Sequence, residues 1–188
     1  MNTFFKKSLV LALFLAVGLT AGLAQAKTLD AGTAYLEPKF GVYSNANPRI
    51  GSMLTYGGEL GYFVVPDVSV GGEVLGYSIN QRKNPNSLSN TWENVGAFGV
   101  NGILRYHFVD GQTYSFFGGL GLGAMFAESK VPRNGYDSSF SQLAEVGANV
   151  FVVDSVSLQL AGRWQHFGEY SNKGSDNWGG NVAVKFIF

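Results

Sequence analysis

The sequence contains no cysteine, only two histidines and a small share of charged residues, 14%. The absence of cysteine excludes disulfide bonds, metal–thiolate sites and cysteine nucleophiles. Outside the N-terminal region there is no run of 18 apolar residues, so the sequence predicts no membrane-spanning helix. Lysine and arginine together number 13, as do aspartate and glutamate, and this balance gives no reason to expect nucleic acid as a partner.

The N-terminal region has the layout of a secretory signal peptide. Two lysines precede an apolar run from Leu9 to Val17, and a small-x-small site follows at Ala24-Gln25-Ala26. We therefore predict a signal peptide over residues 1–26 and one mature domain over residues 27–188. Without those two lysines the mature chain keeps 11 basic residues against 13 acidic ones, a formal charge of −2.

Glycine and aromatic residues are abundant. Glycine accounts for 26 of 188 residues, about twice the ordinary share, and aromatic residues for 14%. Throughout the mature chain apolar residues alternate with polar or small ones, which is the pattern of β-strands with two different faces. Together with export, this composition favours an all-β protein. The eight predicted strands are Thr33–Tyr43, Leu54–Val65, Val68–Asn80, Ala97–Val109, Thr113–Ala127, Phe140–Val152, Ser155–Phe167 and Asn177–Phe188.

Short and long connections alternate strictly between these strands. The short ones are tight turns at Pro66-Asp67, around Asp110-Gly111 and around Asp154. Because the long ones all leave from one end, the arrangement is typical of outer-membrane barrels, which have short periplasmic turns and long extracellular loops. We predict an eight-stranded antiparallel transmembrane β-barrel with both mature termini in the periplasm. The predicted loops span residues 44–53, 81–96, 128–139 and 168–176.

One face of the predicted strands carries ionisable residues of both signs, whereas the other face is rich in Tyr, Trp and Phe. The alternative fold, a soluble barrel or sandwich, would bury the apolar face and expose the polar one. Aromatic residues are expected at the two lipid boundaries, which favours the membrane barrel. An eight-stranded barrel is filled by side chains, so interior charges must pair with one another. The predicted lumen charge network comprises Glu37, Lys39, Glu59, Glu73, Arg105, His107, Glu145, Arg163 and Lys185.

The fifth predicted strand contains the sequence GGLGLG, which superficially resembles a nucleotide-binding loop. No helix follows it and the repeat lies within an alternating strand, so we interpret these residues as strand glycines that make space. Gly119, Gly121 and Gly123 would face the lumen and give long side chains such as Arg105 room. His107 lies on the same face, and we predict a hydrogen-bonded interior histidine.

The last strand resembles the sorting signal of outer-membrane barrels, which commonly end in an aromatic residue preceded by apolar residues at alternate positions. Val182, Val184, Phe186 and Phe188 fit this pattern. The resemblance implies insertion by the barrel-assembly machinery into the outer membrane of a Gram-negative bacterium. The expected partners are therefore that machinery, outer-membrane lipid and lipopolysaccharide.

The second histidine, His166, lies on the outward face of the seventh predicted strand. It is about eleven residues from the turn at Asp154, which is roughly one membrane crossing. An ionisable ring on the lipid side is expected either at the membrane rim or where it has a function.

Segments around His166 resemble the lipid A 3-O-deacylases, which are eight-stranded outer-membrane barrels with a His/Ser/acid triad on the outer surface near the outer leaflet. The chain reads RWQH at residues 163–166 and YSNKG at residues 170–174, and then SDNWGG. The segment VPRNG at residues 131–135, followed shortly by SSF, is also similar to that family. The resemblance covers the last third of the chain best.

The chain also departs from that family's His-x-Ser-Asn pattern. Gly168 stands two residues after His166, and Ser171 lies five residues along, on the opposite face unless a bulge intervenes at Gly168. The resemblance implies ester hydrolysis, with His166 as base, Ser171 as nucleophile and Asp176 as the residue that orients the histidine. The other interpretation is a rim histidine beside a polar loop.

These observations predict a non-enzymatic outer-membrane barrel that serves envelope integrity or surface interaction through its extracellular loops. The alternative is a lipid A 3-O-deacylase-like esterase that acts on outer-leaflet lipid A, and it predicts loss of activity in His166→Ala and Ser171→Ala. A third function, passage of small solutes through the lumen, is opposed by the nine interior charges. No cofactor and no metal site is expected.

Overall fold

The computed structural model describes residues 29–45, 49–83, 91–110, 113–170 and 173–188. Eight strands account for almost all of them, so the predicted number of strands is confirmed. The predicted signal peptide over residues 1–26 lies outside the described residues. The strands are β1 (Ala34–Asn45), β2 (Ile50–Val65), β3 (Val68–Arg82), β4 (Trp92–Asp110), β5 (Tyr114–Val131), β6 (Tyr136–Val153), β7 (Val156–Phe167) and β8 (Ser175–Ile187).

The strands form one closed antiparallel barrel in which each strand pairs with its neighbours in sequence and β8 pairs back with β1. The closing pair extends to Phe188: the backbone N–H of Ala34 donates to the carbonyl of Phe188 at 3.0 Å, and the carbonyl of Ala34 accepts from the N–H of Phe188 at 3.0 Å. Short connections follow β2, β4 and β6, as predicted, and Asp67 makes the first of them with φ at 66°. The closed barrel leaves no open sheet edge along its paired strands.

The strands run further into the long-connection end than the sequence pattern predicts. β2 begins at Ile50 rather than Leu54, and β4 begins at Trp92 rather than Ala97. The predicted loops are therefore too long, because polar residues there lie on the outward face of continuing strands. Asn80 and Asn94 are paired and exposed, whereas the interior neighbour Val95 is buried.

The distribution of side chains is that of a transmembrane barrel, with the apolar face outside. Leu120, Leu160 and Val146 are 66%, 64% and 67% exposed, although they lie in the middle of their strands. In the part of the chain that the structure describes, no helix is long and apolar enough to cross a membrane. The residues of the predicted sorting signal lie on this outward face, and two of them, Val182 and Phe188, are exposed.

The interior of the barrel is built in three layers. At the end with the short turns, an apolar cluster contains Leu29, Tyr35, Phe63, Phe151 and Ile187. The middle layer is ionic. At the end with the long connections, a larger apolar cluster includes inward residues from the second half of β3. This cluster comprises Tyr43, Ile50, Met53, Leu75, Tyr77, Ile79, Val95, Met125, Val131 and Phe167.

Candidate functional site

The ionic layer fills the middle of the lumen. It contains four carboxylates and four cations, all of them buried, so its formal charges sum to zero. Because transfer of an unpaired charge out of water costs several kcal/mol, such a layer is stable only if each group has partners. The eight residues are Glu37, Glu59, Glu73, Glu145, Lys39, Lys185, Arg105 and Arg163.

Two arginines join carboxylates from different sides of the barrel. Arg163 donates from both terminal nitrogens to Glu73, at 2.9 and 2.8 Å, and from Nε and Nη2 to Glu145, at 3.0 and 2.8 Å. Arg105 binds Glu145 through Nε at 2.5 Å and binds Glu59 through both terminal nitrogens, one of them at 2.7 Å. These forked contacts match the planar guanidinium to the carboxylate and are the strongest geometry for such pairs.

The lysines complete the layer. Lys39 Nζ lies 3.0 Å from Glu37, 2.7 Å from Glu59 and 3.0 Å from Glu73. Lys185 Nζ lies 3.1 Å from Glu37 and 4.5 Å from the centre of the Tyr35 ring. The layer therefore links all four carboxylates into one network across the lumen.

His107, which the sequence analysis placed in the charge network, lies outside it. Its ring packs between Phe63 and Phe117, with centroid distances of 5.5 and 5.6 Å, and its Nδ1 lies 3.4 Å from Ser115 Oγ. Its Nε2 is buried and has no hydrogen-bond partner among the described residues. The reason is position, because His107 lies next to the apolar cluster at the short-turn end and no carboxylate is among these neighbours.

Gly119 provides space for the ionic layer. A Cβ atom at this position would lie 3.0 Å from Arg105 Cγ and 3.1 Å from Glu145 Cγ. The predicted role of this glycine, to give Arg105 room, is therefore confirmed. Gly121 differs, because its nearest neighbours would be the carbonyl of Gly102 and the side chain of Leu143.

At the other candidate site, the outer rim, β7 and β8 bring His166 and Asp176 together. The two residues are direct partners in the strand register, and Nδ1 of His166 lies 2.9 Å from Oδ1 of Asp176. The same carboxylate oxygen accepts a hydrogen bond of 3.1 Å from Nε1 of Trp164. A carboxylate that binds one ring nitrogen fixes the orientation of the histidine, which is the role the sequence analysis gave to Asp176.

His166 has the outward register expected from the sequence, yet it is only 2% exposed. Tyr170 lies over its ring with a centroid distance of 4.2 Å and an interplanar angle of 11°, and the Tyr170 hydroxyl donates to Gln142. Nε2 of His166 is buried and has no hydrogen-bond partner among the described residues. The histidine at the rim is therefore covered, because the chain after Gly168 folds back over the ring.

The predicted nucleophile, Ser171, lies outside the described residues, which resume at Lys173. Gly168 adopts a positive φ of 86°, a conformation that glycine permits and that turns the chain out of β7. This turn carries Tyr170 back onto the outward face where His166 lies. The structure thus joins two of the three residues predicted for a triad, and the third stays a prediction.

Sequence reasoning missed Tyr170 and Gln142 as neighbours of the histidine. Gln142 could have been identified, because it is a polar residue next to the apolar outward stretch from Ala144 to Val152 of β6, in the same register row as His166. No feature of the sequence identified Tyr170, because its contact with His166 depends on the path of the chain after Gly168.

No family model and no curated protein matches this chain. Solved structures match its fold. The outer membrane protein OprG from Pseudomonas aeruginosa superposes with a TM-score of 0.62 at 11% identity, over 87% of this chain and 99% of OprG. Neisserial surface protein A gives 0.59 at 15% identity, over 83% and 96%. The N-terminal β-barrel domain of OprF from Pseudomonas aeruginosa gives 0.57 at 16% identity, over 84% and 98%.

The chain has the fold of the small outer-membrane β-barrels. At these identities the likeness concerns the fold alone. The resemblance to lipid A 3-O-deacylases therefore stays a prediction from the sequence.

Proposed function

We propose that this protein is a sealed barrel in the outer membrane of a Gram-negative bacterium, with a non-enzymatic role in envelope integrity or surface interaction. The observation that carries this proposal is the balanced ionic layer between two apolar layers. Arg105 and Arg163 are completely buried, and the network that they form crosses the lumen. A lumen filled in this way supports a role at the surface of the barrel rather than conduction through it.

Planar bilayer recording of the purified full chain tests the sealed lumen. We expect no stepwise conductance from the unmutated protein, because ions would have to cross two apolar layers and displace the paired charges. Steady single-channel steps that disappear when the barrel is heat-unfolded before reconstitution would contradict the proposal. The role at the surface is tested separately by the lipid analysis described below.

One observation favours a second candidate, a lipid A 3-O-deacylase-like esterase. His166 is oriented by Asp176 at 2.9 Å, and its other ring nitrogen is buried without a partner in the described part of the chain. This is the arrangement of a general base that waits for a nucleophile. Against it stands the ring of Tyr170, which covers the histidine and would have to move when a lipid ester binds.

In that candidate mechanism the hydroxyl of Ser171 attacks the ester carbonyl while His166 Nε2 takes the hydroxyl proton. The imidazolium then returns the proton to the leaving alkoxide, which departs as an alcohol. A water molecule releases the fatty acid from the acyl-serine, with His166 again as base, and restores the enzyme. The mechanism requires Ser171 Oγ to reach hydrogen-bond distance of His166 Nε2, about 2.6–3.2 Å.

Mass spectrometry of lipid A from Gram-negative cells that express the chain separates the two candidates. Identical lipid A with the unmutated protein and with His166→Ala is the result expected for the non-enzymatic barrel. Loss of one 3-hydroxyacyl chain only with the unmutated protein would overturn it in favour of the esterase. Asp176→Asn and Ser171→Ala should then lose the activity as well, and heat-dependent migration on gels checks that every variant is folded.

A further inference from the structure

The outward face carries a shallow groove across β4 to β8, directly below the His166 row. Its volume is about 800 Å³, which is the size of a ligand cleft. Glu145 and Arg163 contribute only main chain to it, because their side chains are buried in the lumen. The remaining side chains that line it are apolar or aromatic. They include Leu104, Tyr106, Leu120, Ala144, Trp164 and Trp178.

Small residues form the floor of the groove. A Cβ atom added to Gly162 would meet no atom within 4 Å, and one added to Gly118 would find its nearest neighbour at 4.0 Å. These glycines therefore do not serve internal packing, in contrast to Gly119 in the lumen. They leave open space on both sides of Val146, which lies between Gly118 and Gly162 in the strand register.

The position of the groove identifies its occupant. In a transmembrane barrel the outward face contacts lipid, so a concave apolar surface there is filled by hydrocarbon. The register places Trp164 and Trp178 opposite each other, one row below His166 and Asp176, which is about 7 Å along the strand. Trp164 donates to the half-exposed Asp176 carboxylate. An indole that spans from carboxylate to groove marks the boundary between headgroups and chains.

We propose that this groove holds one acyl chain of an outer-leaflet lipid, with its headgroup at the level of Asp176 and Tyr170. The bulky side chains on both sides confine the chain laterally, and the glycine floor lets it approach the barrel wall. The proposal does not depend on ester hydrolysis, because a chain can be held without being cleaved.

Native mass spectrometry of the full-length barrel with palmitoyl lysophosphatidylcholine, a single-chain probe, tests the groove. We expect one probe molecule to remain bound to the unmutated protein. Gly162→Leu and Gly118→Leu should each lower the occupancy about tenfold, the change expected when roughly two methylene groups lose their contacts. Gly58→Leu is the matched control, since Gly58 also faces outwards, lies on β2 away from this groove, and its Cβ would make only ordinary contacts from 3.4 Å.

Equal retention by all four proteins, or no retained probe on the unmutated protein, would overturn the proposal. A dimer that Gly162→Leu dissociates would also overturn it and assign the groove to a second copy of the chain.

Fluorescence gives an independent readout in a Trp92→Phe background, where only Trp164 and Trp178 remain. Quenching of these two residues by lipids brominated on the acyl chain should decrease in Gly162→Leu and stay unchanged in Gly58→Leu.

Discussion

The ionic layer of the lumen and the rim around His166 both contain buried or half-buried carboxylates, but these have different numbers of partners. In the lumen each carboxylate has at least two charged or hydrogen-bonding partners; Glu73, for example, binds Arg163, Lys39 and Asn101. At the rim a single carboxylate orients a single histidine, and one ring nitrogen is left without a partner among the described residues.

This difference shows what each region can do. Ion pairs in a buried interior resist change, because the loss of any one partner leaves a charge buried and unpaired. The rim can exchange partners at low cost, since Asp176 is half exposed and Tyr170 is largely in solvent. The ion pairs of the lumen therefore stabilise the barrel and close it to solutes. A ligand would bind at the rim and in the groove below it.

The largest expected effect comes from the lumen. Arg163→Ala should lower the free energy of unfolding by about 3–5 kcal/mol, because it removes the forked partner of Glu73 and leaves Glu145 with Arg105 alone. Urea unfolding of the barrel in lipid vesicles, followed by tryptophan fluorescence, measures this change.

A double variant separates charge imbalance from lost packing. Adding Glu73→Gln to Arg163→Met restores the neutrality of the layer. The double variant should therefore be more stable than Arg163→Met alone. If Arg163→Ala unfolds at the same urea concentration as the unmutated barrel, the ion pairs of Arg163 do not stabilise the folded barrel, contrary to this prediction.

A smaller effect is expected from two adjacent glycines on opposite faces of β5. Gly119→Val should destabilise the barrel by about 1–3 kcal/mol, because its side chain would enter the space of Arg105 and Glu145. Gly118→Val should not destabilise it, because that side chain faces the open groove. The same unfolding measurement applies, and equal losses in the two variants would contradict the assignment of faces.

The alternation of the sequence was sufficient to predict the fold, because a two-sided wall imposes a strict period of two on every strand. It predicted the eight strands, the short turns and the inward orientation of residues such as Arg105. It misjudged the extent of β2 and β4, because near the long connections the outward face turns polar while Val95 and Ile50 still face inwards. The apolar residues of the outward face end at the lipid boundary, whereas a strand continues as long as its backbone pairs with its neighbours. The sequence pattern therefore indicates the first limit and not the second.

The contacts at the rim were harder to predict from the sequence than the fold. The family resemblance implied that His166 and Asp176 act together, but the register that pairs them did not follow from the sequence, because Asp176 fell in the predicted loop over residues 168–176. The stacking of Tyr170 depends on a positive φ at Gly168 and on the path of a loop, and neither has a periodic signal. For the same reason no spacing rule relates Ser171 to the histidine.

The smallest expected effect compares the two histidines directly. His107→Phe should change the free energy of unfolding by no more than about 1 kcal/mol, because the ring already packs between Phe63 and Phe117 and its one polar contact, to Ser115, is 3.4 Å long. His166→Phe should cost more, since it removes the partner of Asp176 at 2.9 Å. The same urea titration measures both variants. A larger loss at His107 would mean that its Nε2 takes part in the interior network through a bridging water, and would move this histidine from the apolar cluster to the ionic layer.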